Sequence, residues 1–141
     1  MTKKILVGFD GSEQAYKAFD FALDLVKMCT GASVDIFVVA VAQPPEAGAM
    51  VAVEAVIESA KEYYEELFKD IREKARERNL EVRTEVAVGH PADQIIRYVK
   101  EQHSDMVVVG QKGKSMIEDW LMGSVSRRVA RYAPCTVIIV K

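Results

Sequence analysis

Short apolar runs alternate along this chain with longer amphipathic segments. Four of the runs are continuous and rich in β-branched residues, and they span residues 5–9, 34–41, 106–109 and 136–140. Continuous runs of this length are typical of strands that are buried on both faces of a parallel sheet. Residues 80–88 instead place apolar side chains at alternate positions, which predicts a strand near an edge of the sheet.

The segments between these runs carry helical patterns with recognisable starts and ends. Ser12 is a suitable N-cap for a first helix, and Pro91 suits the first turn of a third. Between them, residues 53–75 form a long apolar stripe opposite a charged face. A fourth helix is predicted to begin at Ser124 and to stop before Pro134, because the residue before a proline disfavours the helical conformation.

Strand and helix patterns therefore alternate from one end of the chain to the other. This order predicts an α/β fold with a single doubly wound five-stranded parallel sheet and helices on both faces. The length of 141 residues suits a single domain over residues 1–141. An irregular stretch at residues 43–49 follows the second strand, and we interpret it as a candidate mobile lid.

Composition argues against several classes of partner. The formal net charge of −2 gives no general attraction to nucleic acid or to an anionic membrane surface. No apolar run approaches the roughly 20 residues that span a bilayer, and the N-terminus lacks the pattern of a signal peptide. Cys29 and Cys135 are too few for a disulfide framework and lack metal-ligand spacing. We therefore expect a cytoplasmic protein without nucleic acid or membrane partners.

A spaced set of glycines follows the fourth strand. Gly110 and Gly113 are separated by two residues, and Gly123 comes nine residues later, directly before Ser124. A Gly-Lys-Ser triplet begins at Gly113, but the first glycine of a P-loop would then have to stand at Val108. The segment is therefore not a P-loop.

The glycine loop and the loop after the first strand leave strand ends that could face each other. In open α/β sheets, ligands bind beyond the carboxyl ends of the strands where the strand order reverses. Closely spaced glycines can aim successive backbone N–H groups at an anion, and the helix start at Gly123-Ser124 favours a phosphate. Two such anion sites suit a polyphosphate. The alternative is that these residues are ordinary turn and capping glycines.

Asp10 is the charged residue that this arrangement has to explain. A carboxylate that faces a polyphosphate is repelled unless a cation lies between them or the carboxylate binds a ribose hydroxyl instead. Mg²⁺ prefers carboxylate and phosphate oxygens, so Asp10 is a candidate magnesium ligand shared with the phosphates. The alternative is an Asx-type turn or a helix cap. His90 has no second ligand at suitable spacing, and we interpret it as a turn residue.

The glycine pattern, with Ala133-Pro134-Cys135 and the opening ILVGFDGSE of residues 5–13, resembles the ATP-binding branch of the universal stress protein family. The likeness extends from Lys4 to Val140. It implies the strand order 3-2-1-4-5, with Asp10 and Gly110 beside the point where the order reverses.

The resemblance also implies which residues contact an adenine nucleotide. Val41 would meet the adenine through its backbone. The ribose and inner phosphates would be lined by Gly8, Asp10 and Val109. The phosphate chain would be held by Gly110, Gly113, Gly123, Ser124 and Val125. The residues of the glycine spacer that we expect to pack as a helical turn over the sheet end are Met116, Ile117, Trp120 and Leu121.

These features predict a cytoplasmic ATP-binding protein of the universal stress type. ATP, or AMP or ADP in its place, would act with Mg²⁺ as a regulatory or stabilising ligand and would be hydrolysed slowly at most. We do not expect an enzyme, because the sequence offers only Asp10 as a general base. Two alternatives remain open: an enzyme on the same fold that hydrolyses ATP or transfers a nucleotidyl group, and a nucleotide-free dimeric scaffold.

The last strand predicts a partner of its own kind. Residues 136–140 read TVIIV, and the only charge beside them is Lys141. At the sheet edge that the resemblance implies, such a strand exposes unpaired N–H and C=O groups, which natural proteins blunt or cover. We expect a homodimer in which this strand pairs antiparallel with its copy.

Overall fold

The computed structural model describes residues 2–48, 50, 52–113 and 122–141. Within these ranges strands and helices alternate along the chain as predicted. The elements are β1 (Thr2–Gly8), α1 (Glu13–Met28), β2 (Ser33–Ala42), α2 (Val53–Arg76), β3 (Val82–Val88), α3 (Pro91–Gln102), β4 (Met106–Gly110), α4 (Ser124–Tyr132) and β5 (Thr136–Val140). The predicted helical turn of the spacer, which includes Trp120, lies outside the described residues, and so does the end of the candidate lid at Ala49.

In the described part of the chain, the strands form one parallel sheet in the order β3-β2-β1-β4-β5. This confirms the predicted order. β1 pairs with β2 along its whole length and with β4 from Ile5 to Val7. Because all the strands run in the same direction, their carboxyl ends meet at one edge of the sheet. The loops that follow β1, β2 and β4 therefore leave from that edge.

The helices cover both faces of the sheet, as expected. Successive side chains of a strand point to opposite faces. In β1, Ile5 and Val7 pack into a core with α1 and α2, whereas Leu6 packs into a second core with α3 and α4. This double cover buries the second half of β1, from Ile5 to Gly8, with Leu6 and Val7 both at 0% exposure. This burial accounts for the continuous apolar run in the sequence.

The helix starts follow the predicted signals. The Ser12 hydroxyl oxygen accepts the N–H of Ala15 at 3.2 Å and caps α1. Pro91 begins α3, where its missing N–H would have no helical partner. α4 begins at Ser124 with Gly123 as its N-cap, and this glycine supplies no side chain to cap the helix. No helix in the described ranges has the length and apolar character that a membrane crossing requires.

Packing of α2 differs from the predicted stripe. Val53 was expected to face the core, but it is 48% exposed, whereas Phe68, which the stripe omitted, is 0% exposed. The fully buried residues of α2 are Phe68, Ile71 and Ala75, all in its second half. The stripe was therefore extended too far toward the N-terminus, because the first turns of α2 bury no residue completely.

β3 is an edge strand, as the alternating pattern predicted. Val82 and Val86 pack against the core of α1 and α2. Val88 was expected on the same face, but it is 39% exposed, while Ala87 is 4% exposed. Val88 is the last residue of the strand and pairs with the last residue of β2, at the rim of the sheet, so the helices cover it less completely.

Candidate functional site

A cavity of about 300 Å³ opens at the carboxyl edge of the sheet, between the ends of β1, β2 and β4 and the start of α4. Every site residue that the sequence predicted lies on its wall: Gly8, Asp10, Val41, Val109, Gly110, Gly113, Gly123, Ser124 and Val125. β1 and β4 are neighbours here, and the chain leaves β1 toward one face of the sheet and β4 toward the other. This is the switch point at which open α/β sheets bind ligands.

The backbone of Val41 faces the cavity because β1 ends early. At this edge of the sheet, the last hydrogen bond between β1 and β2 joins the N–H of Phe9 to the carbonyl of Val39 at 2.9 Å. Backbone groups two residues apart on a strand point to the same side, so those of Val41 also point toward β1. At that level β1 has already ended at Gly8 and turned away through Gly11, whose φ is +79°. The N–H and C=O of Val41 thus point into the cavity.

Asp10 lies between the first turn of α1 and the glycine loop. Its Oδ1 accepts the N–H of Ser12 at 2.9 Å, so the Asx-type turn considered as an alternative is present. Its Oδ2 lies so close to Gly113 that a Cβ at that position would overlap it. A side chain at position 113 would therefore have to displace the Asp10 carboxylate from the loop.

Hydrogen bonds to three elements hold the glycine loop. The N–H of Gln111 donates to the carbonyl of Val140 in β5 at 2.7 Å. The carbonyl of Gln111 accepts the N–H of Gly123 at 2.8 Å, and the Ser126 hydroxyl lies 2.7 Å from the same oxygen. The N–H of Lys112 donates to the side-chain Oε1 of Gln14 in α1 at 2.7 Å. The loop is thus attached to β5, α4 and α1.

Two of these anchors escaped the sequence prediction. Ser126 is 2% exposed inside the first turns of α4, where a helical serine ordinarily faces solvent. Gln14 stands one residue into α1, in a position that would suit any polar residue. Neither was predicted as a site residue, because the bond that each makes to the loop depends on the fold.

The start of α4 offers the cavity an uncapped helix N-terminus. The first N–H groups of a helix have no helical partner and carry partial positive charge. Ser124 and Val125 belong to this turn and line the cavity. Of the basic residues near this turn, Lys112 lines the cavity, whereas the Arg128 guanidinium pairs with the Asp93 carboxylate in α3 at 3.0 Å.

Tyr64 of α2 also lines the cavity, although the sequence prediction did not include it. Burial raises the pKa of its hydroxyl to about 12, and the negative charge of Asp10 adds to the rise. The hydroxyl therefore stays protonated at neutral pH and can donate a hydrogen bond into the cavity. Its position in the middle of an apolar stripe predicted only a core residue.

The described residues contain no group of three or more histidine, cysteine, aspartate or glutamate side chains that could hold a metal ion. Asp10 is the carboxylate on the described wall of the cavity. A single carboxylate fits Mg²⁺ bound mainly through ligand phosphates and water, and does not fit a resident protein-only site. His90 is the N-cap residue of α3, with its Nδ1 4.0 Å from Asp93, and it is absent from the described wall.

The model of the universal stress protein family matches residues 1–141. The chain belongs to this family. It is 32% identical to universal stress protein MJ0531 of Methanocaldococcus jannaschii over 99% of this chain and 82% of that protein. It is 31% identical to universal stress protein YxiE of Bacillus subtilis, with 100% of both chains covered.

Solved structures of family members share the fold. Universal stress protein UspA from Lactobacillus plantarum matches with a TM-score of 0.84 and 22% identity, covering 99% of this chain and 97% of that one. A universal stress protein in complex with cAMP matches with a TM-score of 0.75 and 23% identity, with coverage of 99% and 97%. A family protein from Arabidopsis thaliana with AMP bound matches with 0.65 and 18%, with coverage of 99% and 91%.

In this universal stress protein, we expect Ser126→Ala to lower the free energy of unfolding by about 0.5–1.5 kcal/mol. The loss is limited because the Gln111 carbonyl keeps the N–H of Gly123 as a donor. Ser59→Ala makes the same chemical change on an exposed position of α2 and should cost less than about 0.5 kcal/mol. Urea denaturation measures both. Equal stability of the two variants would contradict the assigned role of Ser126.

Proposed function

We propose that this protein is a cytoplasmic, single-domain nucleotide-binding protein that takes up ATP, or AMP or ADP in its place, in the cavity at the carboxyl edge of the sheet. The proposal rests on one observation: all the residues expected to contact nucleotide line a single cavity. Its volume of about 300 Å³ lies at the lower end of the range for small-molecule sites. The solved family members with cAMP and with AMP support an adenine nucleotide as the ligand.

The base would lie against Val41. Adenine presents a ring nitrogen that accepts and an amino group that donates on the same edge, and a strand backbone offers the matching N–H and C=O. Val41 points both groups toward the cavity where β1 has ended. Val39 and Ile95 supply apolar surface near this end of the cavity wall.

The phosphate chain would lie between the glycine loop and the start of α4. Gly113 is exposed on the loop, and Gly123 leaves the N-terminus of α4 without a side-chain cap. Backbone N–H groups and the positive end of the helix dipole both favour phosphate oxygens. Mg²⁺ would lie between the phosphates and Asp10 and offset their repulsion, since this ion is commonly bound by one or two carboxylates together with substrate phosphates.

ATP would serve as a regulatory or stabilising ligand in a stress response. Fast phosphoryl transfer needs a residue that positions or activates the nucleophile. The described wall of the cavity contains no histidine, and its carboxylate, Asp10, already accepts a hydrogen bond from Ser12. This favours binding with slow hydrolysis over the enzyme alternative.

We expect Gly113→Val to weaken MgATP binding at least about 100-fold, because the new side chain would displace Asp10 and fill the space next to the loop. Gly31→Val is the control. Gly31 has a φ of +79° and no neighbouring atom within 4 Å, so its substitution strains the backbone far from the cavity. Calorimetric titration should give wild-type affinity for Gly31→Val. Equal affinity of wild type and Gly113→Val would overturn the proposed site.

We expect steady-state ATP turnover far below the roughly 1–100 s⁻¹ of kinases. A phosphate-release assay on the purified protein measures this rate. Gly113→Val is the control, because turnover in the cavity should fall with the weakened binding, whereas the activity of a contaminant should not change. Turnover of tens per second that disappears in the variant would show an enzyme instead.

We also propose that the protein is a homodimer joined through β5. β5 is at the edge of the sheet, and its residues Val137 to Val140 are only half-buried in the single chain. The carbonyl of Val140 accepts the N–H of Gln111, so the backbone groups of Val140 and Ile138 face β4. Those of Val137 and Ile139 therefore point away from the sheet, where an antiparallel copy of β5 would pair with them.

Val137→Pro should shift the protein from dimer to monomer, because it removes an outward N–H without breaking a bond to β4. Val88→Pro is the matched control at the other edge. Gly89 donates to Ala42 in β2, so the N–H of Val88 points outward from β3. Sedimentation equilibrium at micromolar concentration should find Val88→Pro dimeric. A monomeric wild type would contradict the proposed dimer.

A further inference from the structure

Gln14 touches the glycine loop from behind. It lies in the first turn of α1 and is half-buried, and the described wall of the cavity does not include it. Its side-chain Oε1 accepts the N–H of Lys112 at 2.7 Å. Because a backbone N–H can only donate, this contact also fixes which end of the Gln14 amide faces the loop. The two residues are 98 positions apart in the chain.

The backbone of α1 packs against the same loop. A Cβ at Gly110 would lie 3.0 Å from both the carbonyl carbon and the Cβ of Gln14, and 3.1 Å from its carbonyl oxygen. The contact involves backbone atoms, which cannot move aside as the end of a flexible side chain can. Gly110 therefore allows the loop to rest directly on the first turn of α1, and Gln14 closes this contact with a hydrogen bond.

The same turn of α1 also positions Asp10. The N–H of Ser12 donates to Asp10 Oδ1 at 2.9 Å, while the Ser12 hydroxyl caps the helix by accepting from Ala15 at 3.2 Å. Ala15 of this turn packs into the core and is only 3% exposed. One rigid turn thus holds both Asp10 and, through Gln14, the amide of Lys112.

We propose that Gln14 is a positioning residue for the phosphate end of the nucleotide site, a role that rests on the proposed function. By fixing the peptide between Gln111 and Lys112, it sets the direction in which the chain continues into Gly113. The N–H of Gly113 then meets a phosphate without a further cost of ordering the loop. The contribution is specific to the phosphate chain, because Gln14 does not reach the base end of the cavity at Val41.

Gln14→Met tests this role, since methionine keeps the length of the side chain and removes the acceptor. We expect the Kd for MgATP, measured by calorimetry, to rise about tenfold, the effect of losing one hydrogen bond that orders the loop. The Kd for adenosine, measured by NMR titration, should change by less than about twofold. Gln102→Met is the control, because Gln102 accepts from Arg83 at 3.4 Å near the opposite edge of the sheet and should leave both values unchanged.

Each outcome bears on a different statement. Failure of the wild type to bind any of MgATP, ADP and AMP would overturn the proposed function and this role with it. Wild-type affinity for MgATP in Gln14→Met, or equal losses for MgATP and adenosine, would overturn the role of Gln14 alone. Amide hydrogen exchange in the unmodified protein provides a test that does not depend on folding of the variant. The Lys112 amide should be protected both with and without MgATP, and free exchange in either state would overturn the role.

Discussion

β1 and β4 lie side by side in the sheet and pair in parallel from Ile5–Met106 to Val7–Val108. Parallel pairing brings the carboxyl ends of both strands to the same edge of the sheet at the same level. From there the chain leaves β1 toward α1 on one face and β4 toward the α4 side on the other. Because the chain leaves these two strands toward opposite faces, a space remains between the loops that no described strand fills. The cavity is therefore a consequence of strand order.

This space becomes a defined site because both backbone hydrogen-bonding groups of Gln111 have partners. Its N–H bonds the end of β5, and its carbonyl bonds the start of α4. These two bonds place the glycine loop and the N-terminus of α4 on the same side of the cavity, whatever side chain residue 111 carries. Gln14 then restrains the loop from the α1 side and Ser126 from inside α4. Hydrogen bonds thus hold the glycine loop at Gln111 and Lys112, while Gly113 stays exposed to solvent.

The features that could be predicted from the sequence are those with a local cause. The Ser12 cap, the start of α4 and the continuous strands follow from neighbouring residues alone, and the spacing of the glycines indicated which loops share the site. Gln14 could not be predicted, because its partner is 98 residues away. Phe68 is a different case. It lies four residues after Tyr64 and three before Ile71, so the helical spacing of α2 already indicated its position on the buried face. The structure buries it against Phe9, with ring centroids 6.2 Å apart.

The contact between Asp10 and Gly113 sets the chemistry that the cavity can accept. A loop rich in N–H groups and a helix N-terminus attract anions, yet a protein carboxylate already lies against this loop. The bond from Ser12 keeps Asp10 in that place. A phosphate chain bound under the proposed function would meet this negative charge at short range, where its repulsion is weakly screened. A divalent cation shared by both groups removes the conflict, so Asp10 would favour a metal-bound polyphosphate over a bare one.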